Sequence, residues 1–215
     1  MPGELIFLVD DDDAVRTSLC ALLETAGYRT AQFESGIDFL ESSDVGLGAC
    51  VLLDVKMPGP DGLEVQRRLN ERGETLPVVI LTGHGDIAMA VQAMRAGAVD
   101  FLEKPVSRKQ LLESVGRAID VDRRDRRDQR ERSEIGTRLR ELSPRERQVL
   151  ERLALGRTNK LVARELGISS RTIEVYRRNV MMKMGADSLS HLVRMTLVAG
   201  IDPVGSDTLP TSGST

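Results

Sequence analysis

The chain has 215 residues, with 30 Lys and Arg against 33 Asp and Glu, so one or two domains and a net charge of -3 are expected. No apolar run approaches the roughly 18 residues of a membrane span, and the first run is too short for a signal peptide. Cys20 and Cys50 have no metal-ligand spacing and fit small apolar side chains in a reducing compartment. We therefore expect a cytoplasmic protein without membrane contact.

The charge is unevenly distributed along the chain. Residues 1–119 carry 11 basic and 19 acidic side chains, residues 120–137 carry 6 of each, and residues 138–215 carry 13 basic and 8 acidic. An acidic half suits a cation site and a basic half suits a polyanion. We predict four segments: an α/β domain at 1–119, a charged helical linker at 120–137, a basic helical domain at 138–200 and a disordered tail at 201–215.

The first segment alternates strand and helix patterns. Strands are predicted at residues 5–9, 28–33, 50–54, 77–82 and 99–102, and the apolar runs in all of these except 28–33 are typical of buried parallel strands. Helical patterns lie between them at residues 14–26, 35–43, 62–71 and 86–96, and another begins at residue 107. This alternation predicts a doubly wound (βα)₅ domain of the flavodoxin-like class.

Polar residues follow four of these strands. Asp10 and Asp11 follow the first, Asp54 ends the third, Thr82 ends the fourth, and Lys104 comes just after the fifth. The carboxyl ends of parallel strands share one crevice. Clustered carboxylates need a hard cation such as Mg²⁺, while a hydroxyl and an ammonium suit phosphoryl oxygens. A single Asp at a strand end is more often a turn former, but this order favours one shared site with Asp54 as phosphoacceptor.

The set resembles the receiver domain of two-component response regulators. The resemblance implies a sensor histidine kinase as the phosphoryl donor and a dimer surface on residues 86–96, the strand from Val99 and the helix after Pro105. It also implies these roles: Asp54 as phosphoacceptor, Asp10 and Asp11 as the acidic pocket, the Lys56 backbone carbonyl as a further Mg²⁺ ligand, Thr82 and Phe101 as the switch pair, Lys104 as the phosphoryl clamp, and Val91 and Arg95 as dimer contacts.

The segment that follows is almost wholly charged. Oppositely charged residues recur at helical spacing, as in Asp122 with Arg126 and Arg127 with Glu131, which favours a helix. The stretch lacks the apolar positions of a coiled coil. A rigid connecting helix and a flexible solvated linker are equally compatible with this pattern.

The basic segment begins with a capping box, in which Ser143 caps a helix that starts at Pro144 and carries Glu146 three residues after the cap. This helix runs to Gly156. Thr158 and Ser169 then cap a short helix at residues 159–166 and a longer basic one at residues 170–184. Two helices joined by a glycine-containing turn predict a helix-turn-helix, whose second helix fits the DNA major groove.

From Leu142 to Ala199 the chain resembles the four-helix DNA-binding domain of the LuxR/GerE family, and its FixJ-type group in particular. The motifs are 142–146 LSPRE, 159–163 NKLVA and 171–177 RTIEVYR, together with 82–86 TGHGD and 100–105 DFLEKP in the first domain. Tyr176 stands where histidine is more usual in the wider family. The resemblance implies base contacts by Glu174, Val175 and Arg178, and mostly DNA backbone contacts by Asn159, Lys160, Arg171, Thr172, Tyr176 and Arg177.

Together these features predict a DNA-binding transcriptional regulator rather than an enzyme, with at most slow autophosphatase activity. Phosphorylation of Asp54 should promote a homodimer that binds palindromic double-stranded promoter DNA, and the resemblance suggests activation through RNA polymerase. Two alternatives stay open: a protein that binds DNA constitutively, and a phosphate sink that hydrolyses phosphoryl groups taken from a kinase. The kinase's signal and the target promoters lie outside what the sequence contains.

Overall fold

The computed structural model describes residues 3–83 and 87–201, and residue contacts divide the chain into two compact units, 1–126 and 127–215. The predicted tail lies outside the described residues except for Ile201, and so does Asp86 at the start of the fourth predicted helix. Among the described residues, no helix is long and apolar enough to cross a bilayer.

The first unit contains a five-stranded parallel sheet with helices on both faces. Its strands are β1 (Leu5–Val9), β2 (Arg29–Phe33), β3 (Cys50–Asp54), β4 (Val78–Thr82) and β5 (Asp100–Glu103). Its helices are α1 (Asp13–Thr25), α2 (Gly36–Glu41), α3 (Gly62–Glu71), α4 (Ile87–Arg95) and the first part of α5 (Arg108–Arg140), whose second part belongs to the other unit. The strand order β2-β1-β3-β4-β5 confirms the predicted doubly wound fold.

Strands β1, β3 and β4 form where the sequence is almost continuously apolar, whereas β2 and β5 also contain charged residues. Every residue of β3 and β4 is buried, as expected for parallel strands covered on both faces. One face packs on α2, α3 and α4 through residues such as Phe39, Leu69 and Ala93, and the other packs on α1 and α5. The order of the strands reverses between β1 and β3, so a crevice opens at their carboxyl ends.

Predicted boundaries differ from the observed ones by one or two residues. The largest differences concern α2, predicted at 35–43, and the helix predicted to reach Gly156. Helix α2 ends at Glu41 because Ser42 has an extended backbone, and a 3₁₀ helix follows at Val45–Leu47. The strands predicted at 28–33 and 99–102 begin one residue later than expected.

Helix α5 runs without a break through the charged segment, which the sequence left undecided between helix and flexible linker. In the first unit, Arg126 donates to the Gly48 carbonyl at 2.6 Å and to the Asp122 carboxylate at 2.7 Å. In the second unit, Ile135 and Leu139 are buried in the core. Both ends of the charged segment are therefore anchored by side chains.

The second unit is helical. It contains α6 (Pro144–Ala154), α7 (Asn159–Leu166), α8 (Ser170–Met184) and α9 (Leu189–Val198). The predicted capping box is present, with the Ser143 N–H donating to Glu146 at 2.8 Å. Glycines in the left-handed region end α7 and α8, at Gly167 with φ 65° and Gly185 with φ 64°. The fold class predicted from the sequence, a (βα)₅ domain followed by a helical domain, is confirmed.

Candidate functional site

Three carboxylates meet at the reversal point of the sheet. Asp10 follows β1 and Asp54 ends the neighbouring β3, with Val9 paired to Leu53 in the register. One ligand oxygen from each of Asp10, Asp11 and Asp54 lies within 4.8 Å of the others. Asp10 and Asp54 are 2% and 5% exposed, whereas Asp11 is exposed. The cluster is therefore closed on the protein side and open to solvent at Asp11.

Lys104 joins the two buried carboxylates. Its Nζ lies 2.5 Å from Asp10 Oδ2 and 2.7 Å from Asp54 Oδ1, across 94 and 50 residues of sequence. The loop after β5 is fixed by a bond of 2.7 Å from the Lys104 N–H to the Thr82 carbonyl. One ammonium thus binds the two buried carboxylates of the three-carboxylate cluster.

The electrostatics of this cluster differ from those of exposed groups. Burial raises the pKa of Asp54, and the nearby Asp10 charge acts in the same direction, against the opposing effect of Lys104. Burial alone would lower the pKa of Lys104, but its bonds to Asp10 and Asp54 raise it instead. The site therefore has an excess of negative charge that a further cation would relieve.

Mg²⁺ fits this donor set. Carboxylate oxygens are the hard ligands that the ion prefers, and the three that converge here include two held in fixed positions by burial. The Lys56 N–H donates to Asp54 Oδ2 at 3.0 Å, so the turn after β3 closes over the carboxylate. The chain also comes very close at Gly62, where a Cβ would lie 2.3 Å from the Asp54 carbonyl oxygen.

Arg16 contacts the acidic cluster but is not among the site residues predicted from the sequence. Its guanidinium is buried and donates to the Asp10 carbonyl at 2.7 Å and to the Asp13 carboxylate at 2.9 Å. Asp12 caps α1 by accepting from the N–H groups of Ala14 and Val15. The only sequence signal for Arg16 is a basic residue among acidic ones, three residues after Asp13, and such pairs are usually exposed.

The predicted switch residues lie on the neighbouring strands. Thr82 ends β4 and is fully buried, and Phe101 in β5 pairs with Ile80. Since Thr82 is two residues beyond Ile80, the two side chains lie on the same face of the sheet. The loop that follows includes His84, Gly85 and Asp86, which are outside the described residues.

Helix α4 carries the predicted dimer residues Val91 and Arg95, and both are exposed. Two further apolar side chains on this helix, Ile87 and Met94, are also exposed and were not singled out from the sequence. Ala93 is the one buried side chain of the helix. Helix α4 thus presents apolar surface outward while making few buried contacts of its own.

A groove of about 510 Å³ adjoins the acidic cluster. It is lined by Lys104 and otherwise mainly by apolar residues of α1 and of the loop after β5, among them Val15, Leu22, Pro105 and Val106. The groove therefore meets the cluster at Lys104 and is otherwise mainly apolar.

Helix α8 in the second unit has two distinct faces. Ile173, Val180 and Met184 are buried in the core, whereas Arg171, Glu174, Val175 and Arg178 are exposed. Thr172, Tyr176 and Arg177 are half-buried between them. On α7, Lys160 is exposed, and the Asn159 amide oxygen accepts from Arg177 Nη1 at 3.2 Å. Of the nine predicted DNA contacts, five are thus exposed and four are half-buried.

The end of α8 is fixed by polar contacts. Arg138 donates to the Met184 carbonyl at 2.9 Å, and Lys183 binds the buried Glu146 carboxylate at 2.7 Å. The bond from Lys183 lowers the pKa of Glu146. These contacts hold the last turn of α8 against α5 and α6.

Comparison with known proteins covers both units. Residues 6–116 match the response regulator receiver domain family, and residues 140–196 match the bacterial regulatory proteins of the luxR family. The transcriptional regulatory protein FixJ of Azorhizobium caulinodans is 48% identical over 98% of this chain and 100% of its own length. The response regulator protein TmoT of Ectopseudomonas mendocina is 43% identical over 89% of this chain and 87% of its own.

Solved structures agree with these matches. The response regulator StyR superposes with a TM-score of 0.79 at 36% identity, over 92% of this chain and 99% of its own. Full-length FixJ from B. japonicum gives a TM-score of 0.56 at 46% identity, over 94% of this chain and 99% of its own. Both resemblances inferred from the sequence motifs are confirmed.

Proposed function

Since this chain belongs to the response regulators of two-component systems, with a receiver domain and a luxR-type DNA-binding domain, we propose that Asp54 is the phosphoacceptor that controls its binding to DNA. The family makes it a phosphorylation-dependent transcription regulator with a sensor kinase as its partner, and not a conventional enzyme. The domains we propose are a receiver at 1–119, a helical linker at 120–137, a DNA-binding domain at 138–200 and a tail at 201–215.

The observation that supports this best is the position of Lys104 between Asp10 and Asp54. In phosphoryl transfer, an Asp54 carboxylate oxygen attacks the phosphorus of the kinase's phosphorylated side chain, a P–O bond forms, and the bond to the donor breaks. The product carries about 1.5 to 2 negative charges. Lys104 is within reach of the new oxygens and would exchange its bond to Asp54 for one to the phosphoryl group.

Mg²⁺ is the cofactor we propose, with ligands from Asp10, Asp11, Asp54 and the Lys56 backbone carbonyl. When bound, it supplies positive charge next to the transferring phosphoryl oxygens. The residues around it have separate tasks. Burial holds Asp10 and Asp54 in place, and the turn at Lys56 orients the Asp54 carboxylate. Slow autophosphatase activity would follow from water entering on the open side.

The switch we propose connects this site to α4. Thr82 and Phe101 lie on one face of neighbouring strands, so an inward movement of the Thr82 hydroxyl leaves space that the Phe101 ring can occupy. Helix α4 follows Thr82 closely in the chain and has an exposed apolar surface around Val91, with Arg95 one turn further on. A change in its position would allow two receivers to pair.

Pairing would place two copies of α8 on one DNA duplex. A twofold dimer binds half-sites about 34 Å apart, so the proposed target is a palindromic promoter. The exposed Glu174, Val175 and Arg178 would contact bases, and the remaining predicted residues would contact the DNA backbone. We propose a cytoplasmic activator that works with RNA polymerase.

The experiment that tests this proposal is size-exclusion chromatography with light scattering on the full chain plus Mg²⁺, before and after acetyl phosphate or beryllofluoride. We expect a monomer that becomes a dimer, while the Asp54→Asn variant stays monomeric. A full shift of population from 1:99 to 99:1 requires about 5.5 kcal/mol. Dimerisation of Asp54→Asn on addition of acetyl phosphate would contradict the mechanism. If the phosphodonor changes neither the mass of the wild type nor its binding to DNA, a protein that binds DNA constitutively is favoured.

A further inference from the structure

Met182 lies on the exposed face of α8 and has no role in any of the assignments above. Its side chain is 70% exposed, the largest exposure among the large apolar residues of this helix in the described part of the chain, and Val175 follows at 50%. Since a helix advances 100° per residue, Val175, Arg178 and Met182 share one side of α8. This side is opposite the buried Ile173, Val180 and Met184.

The surroundings of Met182 match DNA better than an apolar partner. Arg171 and Arg178 are exposed on the same side, and the segment from residue 138 onward has 13 basic against 8 acidic side chains. A polyanion is therefore the complementary ligand. In the major groove, the apolar feature that a side chain can contact is the C5-methyl group of thymine.

The last turn of α8, which contains Met182, makes polar contacts with residues outside this helix. The Arg138 guanidinium binds the Met184 carbonyl, and Lys183 binds Glu146 and the Glu141 carbonyl. Val175 and Met182 are seven residues apart, which corresponds to about 10.5 Å along the helix axis. Two side chains this far apart on a helix in the major groove would contact different base pairs.

We propose that Met182 is a specificity-determining residue that contacts a thymine methyl group in each half-site, on a base pair other than the one contacted by Val175. This assignment rests on the proposed DNA-binding function of α8. It adds a base contact near the carboxyl end of that helix to the contacts proposed for Glu174, Val175 and Arg178. Methionine suits this task because its unbranched, polarisable side chain adapts to the groove.

The test uses the full chain activated with acetyl phosphate. A duplex is first selected from a randomised library, and each thymine of the selected site is then replaced in turn by deoxyuridine, which removes only the methyl group. Affinities are measured by fluorescence anisotropy. We expect the wild type to lose about fourfold in affinity at one thymine per half-site, the loss for uncovering one methyl group.

The variants separate this contact from other effects. Met182→Ala changes both protomers of the dimer, so it should bind the thymine duplex about 16-fold more weakly, about fourfold for each half-site, and lose nothing further when either thymine becomes deoxyuridine. Met182→Leu should keep the wild-type sensitivity, and Val175→Ala should lose sensitivity at a different thymine. Leu155→Ala removes an exposed apolar side chain from α6 and should behave as wild type. Thermal unfolding of each variant verifies that it is folded.

Two results would overturn the assignment. If Met182→Ala is as sensitive as the wild type to every deoxyuridine, or if the wild type is sensitive to none, Met182 does not contact a thymine methyl group. If instead the activated wild type selects no sequence at all, the proposed function itself fails, and the assignment fails with it. If a site is selected but binding at none of its thymines depends on Met182, only the assignment of Met182 fails, and the proposed function stands.

Discussion

The acidic cluster of the receiver and the exposed face of α8 use side chains in opposite ways. In the receiver, most candidate functional groups are themselves buried: Asp10, Asp54 and Thr82 are at most 5% exposed, and Lys104 binds both carboxylates, whereas Asp11 is exposed. In α8, the buried residues are apolar and the candidate functional ones face solvent. Function and stability are therefore coupled in the receiver and separable in the DNA-binding domain.

The largest expected effect sharpens this contrast within α8. Ile173→Ala removes a fully buried side chain and should lower the stability of the DNA-binding domain by about 3.5 kcal/mol. Val175→Ala, two residues further on, should change stability by less than about 0.5 kcal/mol and weaken DNA binding instead. Thermal unfolding and anisotropy on the same samples give both values. An equal loss of stability in the two variants would contradict the separation of faces.

In the receiver, no such separation is expected at Lys104. Lys104→Met leaves two buried carboxylates without their common cation, which should cost about 3 kcal/mol of stability in the absence of Mg²⁺. Since the cluster is suited to Mg²⁺, adding the ion should restore part of the lost stability. Urea unfolding with and without Mg²⁺ measures both effects.

The control for Lys104 is Lys109→Met, which removes a lysine that is 84% exposed and pairs with Glu113 at 3.9 Å. Such a pair contributes less than about 1 kcal/mol. The variant should therefore stay close to wild type, with no dependence on Mg²⁺. If Lys104→Met is equally stable with and without the ion, the carboxylates do not form the site that we propose.

Arg178 on α8 and Lys160 on α7 should differ in the kind of loss of DNA binding that their substitution causes. Arg178→Ala should weaken binding to the selected site roughly 10- to 100-fold and relax the base preference at one position. Lys160→Ala should weaken binding to all sequences alike and reduce the salt slope by about 1. Anisotropy titrations at several salt concentrations, on selected and scrambled duplexes, distinguish the two. A uniform loss for Arg178→Ala would assign it to the DNA backbone.

The strand ends and helix caps could be predicted because their signals are local. The apolar runs of β1, β3 and β4, the Ser143 capping box and the glycine stops at 167 and 185 each involve a few neighbouring residues. They located the cluster at Asp10, Asp54 and Lys104 because parallel strands end at one edge.

Contacts between residues that are far apart in the sequence could not be predicted in this way. The charge pairs of residues 120–137 fit a helix and a solvated linker equally well, and the anchor of Arg126 on Gly48 spans 78 residues. The burial of Arg16 and the bond between Lys183 and Glu146 depend likewise on tertiary packing. Met182 falls in the same class, since its exposure is visible only once the buried face of α8 is known.

The smallest expected effect is a difference in pH dependence between the two domains. The pKa of Asp54 is raised by burial, so its contribution to stability is present below the ordinary aspartate value of about 3.9 and is lost as pH rises through the folded value. The pKa of Glu146 is lowered by Lys183, so its contribution is present above about 4.3 and is lost as pH falls through the folded value. The two carboxyl groups therefore act in opposite directions.

At neutral pH, the corresponding amide substitutions should change the stability of the protein in opposite directions. Without divalent ions, Asp54→Asn should be more stable than wild type because it no longer buries a charge, and Glu146→Gln should be less stable because Lys183 loses its charged partner. Both differences should shrink as the pH falls toward 3 and the wild-type carboxyls become protonated. Thermal unfolding from pH 3 to 8 tests this. A stabilising effect of both substitutions would mean that the Glu146 carboxylate also carries a net burial penalty, and that the contrast between the two domains does not extend to their buried acids.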